Sequence, residues 1–313
     1  MLKTAMFLFC AAFAGAEIRT NYEVAQPAAG DLRFKWIYGS VCNALNRDPR
    51  VQVVMYNEDT YVMRQNIAVH HSAPFTYLLM GNSGALLIDT GATAEARYYP
   101  LRATVDALLK HWGDLRGKAD LPLTVVLTSG ENLYQNQGYA QFRGRPNTRL
   151  VPPDAAEIDL GGRVVTVIPT PGTHKDGVSF YDRYDGFLFT GDFVCPGRIT
   201  IANDVDYLKS IARLRAFRDS HPVKWVMGGQ IDMQFLPGVE YMRLITYKPM
   251  EHVLQLDPAV LDDAAATAER LKGKADVIIR AEFAMRNRVG PDFRKPGTRE
   301  ADLPPVPVVG MLR

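Results

Sequence analysis

Five short apolar runs in this chain each stop at a small, polar or acidic residue, and that recurrence limits the fold more than any other feature. They are residues 85–89 (ALLID), 123–127 (LTVVL), 164–169 (VVTVIP), 187–190 (FLFT) and 224–227 (KWVM). The residues that follow them are Thr90-Gly91, Thr128-Ser129-Gly130, Thr170-Pro171-Gly172, Gly191-Asp192 and Gly228-Gly229-Gln230. Runs of this length bounded by turn residues read as buried strands. Loops that leave such strands in the same way are expected to meet at one edge of the sheets.

Between the first two runs, residues 100–112 carry Leu101, Val105, Leu108 and Leu109 at helical spacing, which gives a β-α-β rhythm. Earlier, residues 51–56 and 60–65 read as a hairpin across Asn57, Glu58 and Asp59. Residues 75–80 and 85–89 read as a second hairpin across a Gly81-Asn82-Ser83-Gly84 turn. Residues 178–181 and 187–190 form a third around Asp185-Gly186, and a helix is expected over 207–217. Residues 32–44 read as a helix, and 254–288 as a helical element with Ala264, Ala268 and Leu271 on one face. From about residue 291 the chain is Pro-rich and reads as an extended tail.

The strings YLLMGNSGALLIDTGAT, PLRATVDALL, TPGTH, TGD and GGQ, in that order between residues 77 and 233, resemble the metallo-β-lactamase superfamily. The resemblance implies an α/β protein built as a four-layer αβ/βα sandwich, with zinc ligands supplied from an H-x-H-x-D-H loop, a T-P-G-H segment, a T-G-D carboxylate and a closing G-H. Here most of those places hold other residues. Aligned on residues 125–128, the loop's four ligand places fall on Ser129, Glu131, Leu133 and Tyr134; aligned on residues 140–142, they fall on Gly130, Asn132, Tyr134 and Gln135. The T-P-G-H histidine is displaced by one place to His174, the T-G-D carboxylate is kept as Asp192, and Gln230 takes the last place.

The metal candidates are therefore Asp192, His174 and Glu131, and the expected pocket is lined by Asp89, Ser129, Asn132, Tyr134, Gln135 and Gln230. Hydroxyls and amides do not replace imidazole on zinc with similar affinity, and without zinc a water keeps its ordinary acidity. The resulting expectation is a metal-free pseudoenzyme that binds a small molecule or a partner, with no cofactor. The alternative is a hydrolase of an ester, amide or thioester with one weakly bound or altered divalent metal on those three residues. A full dinuclear site would need His70 or His71. Those two are adjacent at the edge of an expected strand, so their side chains are read as facing opposite ways. Asp89 and Asp192 also admit a plainer role, holding loops by accepting backbone N–H bonds.

Residues 1–16 carry Lys3, a short apolar core and an Ala14-Gly15-Ala16 ending, the pattern of a cleaved secretory leader. Export to the periplasm or medium is expected, with the mature chain starting at Glu17 and forming a single domain. A formal charge of +2 excludes the strong field that would direct a chain to nucleic acid or to a membrane surface. A small molecule is the expected partner, and the oligomeric state is left open. Cys42 and Cys195 remain beyond the leader and could pair or stay as small buried groups.

Overall fold

The computed structural model describes residues 17–130, 135–150, 156–288 and 298–299, the last pair as backbone. The expected leader, most of the Pro-rich tail, and Glu131, Asn132 and Tyr134 lie outside the described residues. A first sheet of six strands takes its order directly from the chain: β1 (Val51–Asn57), β2 (Thr60–Gln65), β3 (Phe75–Met80), β4 (Ala85–Ile88), β5 (Leu123–Val126) and β6 (Thr148–Leu150). The first four pair antiparallel, whereas β4, β5 and β6 run parallel. Parallel neighbours need a crossover, and α1 (Leu101–Arg116) provides it between β4 and β5. Its Leu101, Val105, Leu109 and Trp112 pack on Leu78, Leu87, Leu123 and Val125 of the sheet. The helix ends where Gly117 turns left-handed at φ 67°.

The second half begins with β7 (Glu157–Asp159), β8 (Val164–Pro169), β9 (Val178–Asp182) and β10 (Phe187–Gly191). After β11 (Arg198–Ile201) come α2 (Asp204–Ser220), β12 (Trp225–Gly228) and β13 (Gln255–Leu256). The chain then forms α3 (Val260–Leu271), β14 (Val277–Ile279), β15 (Ala284–Asn287) and β16 (Thr298–Arg299). The second sheet has the order β13-β12-β10-β9-β8-β7, and its parallel pair, β10 with β12, is joined through α2. A small third sheet, β11-β15-β14-β16, lies with the helices. Among the described residues no helix is long and apolar enough to cross a membrane.

The apolar clusters define the layers. Val62, Tyr77, Leu86 and Val126 from the first sheet meet Val165, Phe180, Phe189 and Met227 from the second. The outer face of the second sheet, with Tyr181, Leu188 and Val226, packs on Tyr207, Ile211 and Leu214 of α2 and on Leu261 and Ala268 of α3. Helix, sheet, sheet and helix thus stack as the expected αβ/βα sandwich. At the head of α2, Asn203 Oδ1 accepts the Asp206 N–H at 3.1 Å. Asn203→Ala should cost about 1 kcal/mol in urea unfolding, and an unchanged midpoint would show the cap to be idle.

Two expected helices are corrected. Residues 32–44 are irregular except for a 3-10 turn that begins at Asn43. Leu32, Trp36 and Ile37 are buried at a spacing that imitates a helix, but the segment's backbone donors reach elsewhere. Ile37 N–H bonds Gln52 Oε1 at 2.7 Å and Gly39 N–H bonds Asp48 Oδ2 at 2.8 Å. In 254–288 only α3 is helical; Gly273 turns left-handed at φ 66°, and the β-branched run after it forms β14.

One edge of the sandwich is closed by charge. Arg163, fully buried, reaches Asp182 Oδ2 at 2.6 Å, Asp185 Oδ2 at 2.7 Å and Thr60 Oγ1 at 2.7 Å. Its other amino group donates to the Asp59 and Met80 carbonyls at 2.7 and 3.0 Å, so one guanidinium ties both sheets together. Burial works against its charge, yet the neighbouring Asp182 and Asp185 carboxylates raise its pKa.

Candidate functional site

The loops after β4, β5, β8, β10 and β12 gather at the opposite edge. Asp89 ends β4 in the left-handed region at φ 61°, and Thr128 beyond β5 is bound to its carboxylate. The Thr128 N–H reaches Oδ1 at 2.8 Å and its hydroxyl reaches Oδ2 at 2.8 Å. Asp89 therefore holds two loops together. Burial pushes its carboxyl up to about 7 against the Thr128 bonds, which pull the other way. Gly191 must be glycine at this junction, since it sits at φ 54° and a Cβ would stand 2.2 Å from Thr128 Oγ1. The Gly229 N–H bonds the Gly191 carbonyl at 2.8 Å, and the Phe75 N–H bonds the Gly229 carbonyl at 2.9 Å. These contacts bring Asp192 and Gln230 to the same rim.

Gln135 reaches the site from the loop after β5, and its Nε2 donates to Asp192 Oδ1. In the register set on residues 140–142, Gln135 falls on the last ligand place. His174 Nε2 stands 4.0 Å from Asp192 Oδ2, so the one-residue displacement in the sequence still delivers the imidazole to the carboxylate. Ser129, also buried, receives the Asn136 Nδ2–H on Oγ at 2.9 Å. Gln230 is half-buried just past β12.

The expected opposition of His70 and His71 is corrected. They lie in the loop between β2 and β3 rather than on a strand, so no pleat separates them, and their rings sit 4.4 Å apart. His70 Nδ1 pairs with Ser72 Oγ at 2.6 Å. Burial, followed by His71 and Lys248, lowers the His70 pKa to about 4. Burial also lowers that of His71, whose charged surroundings are Asp232, Lys248, Arg198 and Arg243. Cys195 is buried and Cys42 exposed, and the two are not bonded to each other. Burial raises the Cys195 thiol pKa well above its ordinary value, so it offers no nucleophile.

A zinc ion needs several imidazole, thiolate or carboxylate donors converging on one point. Among the described residues no three of His, Cys, Asp and Glu are so placed. Among the described residues Gln135 turns an N–H toward Asp192, where a metal ligand would present a lone pair, and this arrangement does not fit zinc. Sequence reading missed four residues beside the site: Thr90, whose N–H bonds the Gln135 carbonyl, Asn136, whose Nδ2 reaches Ser129, Gln65, whose Oε1 accepts the Ala92 N–H, and Thr128 as the partner of Asp89. The polar run Gln135-Asn136-Gln137-Gly138 was the available signal, since such runs mark buried turns as well as loops.

Residues 103–229 match the metallo-beta-lactamase superfamily model. Among solved structures it is similar to a metallo-beta-lactamase from Pontibacter korlensis, with 16% identity, 70% of this chain and 99% of that one covered, and a TM-score of 0.45. A metallo-beta-lactamase from Erythrobacter litoralis, with beta mercaptoethanol in its active site, is 13% identical over 72% of this chain and 99% of its own, at a TM-score of 0.48. One from Pseudomonas aeruginosa in a mono-zinc form is 12% identical over 72% and 97%, at 0.47. No curated protein sequence matches the chain.

Proposed function

We propose that this chain is a metal-free member of the superfamily that binds a small molecule at the loop edge. The observation that carries the reading is the bond from Gln135 Nε2 to Asp192 Oδ1. An amide N–H there supplies the positive partner the carboxylate would otherwise find in a metal, and leaves any water beside it at its ordinary acidity. The leader pattern in residues 1–16 supports export, so the ligand is expected in the periplasm or medium. The 4.0 Å approach of His174 to Asp192 favours a second reading, a single weakly held divalent ion that also recruits Glu131.

Metal analysis of the purified protein, followed by thermal unfolding with and without added zinc, separates the two. The protein should purify with well under one zinc per chain, and zinc should leave its melting temperature unchanged, because a ligand stabilises only in proportion to its affinity for the folded state. About two zinc ions per chain would overturn the metal-free reading. Uptake of one ion that Asp192→Asn abolishes would establish the second reading instead.

A further inference from the structure

β1 is the outermost strand of the first sheet: among the described residues β2 is its hydrogen-bonded neighbour, and no strand lies beyond it. The ladder fixes which of its groups face outward. The Asn66 N–H bonds the Arg50 carbonyl at 3.2 Å, and Val51 to Met55 continue in register with Gln65 to Tyr61. Antiparallel pairs alternate between residues that exchange bonds and residues that do not. Gln52 and Val54 therefore turn their backbone groups to β2, whereas Val51, Val53 and Met55 turn theirs away from it. This outward stretch stops at Tyr56, where the ladder shifts register and the Asp31 N–H takes the Tyr56 carbonyl at 3.1 Å.

Edge strands are ordinarily blunted by a charge or a proline within them, and residues 51–57 (VQVVMYN) contain neither. The side chains alternate with the backbone. Val54 and Tyr56 enter the core between the sheets, while Val53 and Met55 are 38% and 55% exposed on the other face. The two ends of the strand carry opposite charges. Arg50 precedes it, and Glu58, which also meets Arg116 of its own chain at 3.4 Å, follows it; both are exposed. A strand laid antiparallel to itself is related to its copy by a twofold axis, so outward N–H groups meet outward carbonyls and the positive end of each copy meets the negative end of the other.

We propose that β1 is the contact surface for a second copy of this chain, joined edge to edge about a twofold axis at Val53 so that the two first sheets become one. In that register Val53 faces its counterpart and Val51 faces Met55 of the other copy, and all three are positions whose backbone groups turn outward. The exposed Val53 and Met55 side chains of both copies gather on one face, directly opposite or diagonal to one another. At each end Arg50 lies opposite Tyr56 of the other copy and diagonal to its Glu58, within reach of a long side chain. That match of the chain's own ends favours a second copy over an unrelated extended segment.

Sedimentation equilibrium of the intact protein over a range of concentrations should show a reversible exchange between monomer and dimer. Val53→Lys sets two like charges on the axis while the bonds to β2 stay in place, and should weaken the dimer by about tenfold or more. Arg50→Glu and Glu58→Arg should each weaken it severalfold, and combining them should restore it, because the recovery depends on the two positions meeting across the axis. Circular dichroism confirms that each variant is folded, and the charge exchange serves if Val53→Lys is not. A protein that stays monomeric at every concentration would overturn the proposal. So would a dimer that Val53→Lys leaves as tight as before, or a charge exchange that brings no recovery. None of these outcomes touches the metal-free reading of the loop edge.

Discussion

Arg163→Met is expected to lower stability by about 3–5 kcal/mol at neutral pH, because it leaves the buried Asp182 and Asp185 carboxylates facing each other with no cation between them. The same change removes the donors to the Asp59 and Met80 carbonyls, which lie at 2.7 and 3.0 Å. Urea unfolding measures the loss. Adding Asp182→Asn and Asp185→Asn to Arg163→Met should restore part of it, since the isolated charges are then gone, and the recovery isolates the charge contribution. A loss below about 1 kcal/mol would show that this edge is held by its apolar neighbours alone.

Asp89→Asn should remove a pH dependence from the folded state. The carboxyl titrates near its ordinary value of 3.8 in the unfolded chain and at about 7 in the fold, with burial the main cause and Asp192 adding to it. Between those values the folded chain holds a proton the unfolded chain has released, so stability falls as pH rises. The contribution is complete below pH 3.8 and lost by the time pH has passed 7. Three units correspond to about 4 kcal/mol across that window. An Asn at this position keeps an oxygen for the Thr128 N–H and an amide for its hydroxyl, without a charge to bury. The difference in stability between variant and parent should therefore grow in the variant's favour from pH 4 to pH 8. A difference that stays flat would mean that Asp89 titrates normally despite being fully buried.

Much of this frame was legible because its strands are buried on both faces, and such strands spell themselves out as unbroken apolar runs. β3, β4 and β10 are buried along their whole lengths, and their limits were readable almost to the residue. β11, where buried and half-buried residues alternate within RITI, was not separated from the loop around it. Leu32, Trp36 and Ile37 misled because burial against a sandwich edge can imitate a helical period while the backbone is irregular. At the rim, Asp192 and His174 were recognisable by their neighbours in the chain. The loop register was not, since two anchors fitted equally well. The approach of Gln65 to Ala92 and of Thr90 to Gln135 was hidden for a different reason: each joins segments distant in sequence, and no local pattern records it.

The Arg163 cluster and the Asp192 rim stand at opposite ends of the same two sheets, and the arrangement separates what keeps the molecule folded from what it touches. The far edge is a keystone: one guanidinium locks both sheets from within, and no residue of the loop rim takes part in it. A frame secured in that place does not need its rim to bind a metal in order to stand. Residues at the rim can be exchanged there while the architecture around them does not change.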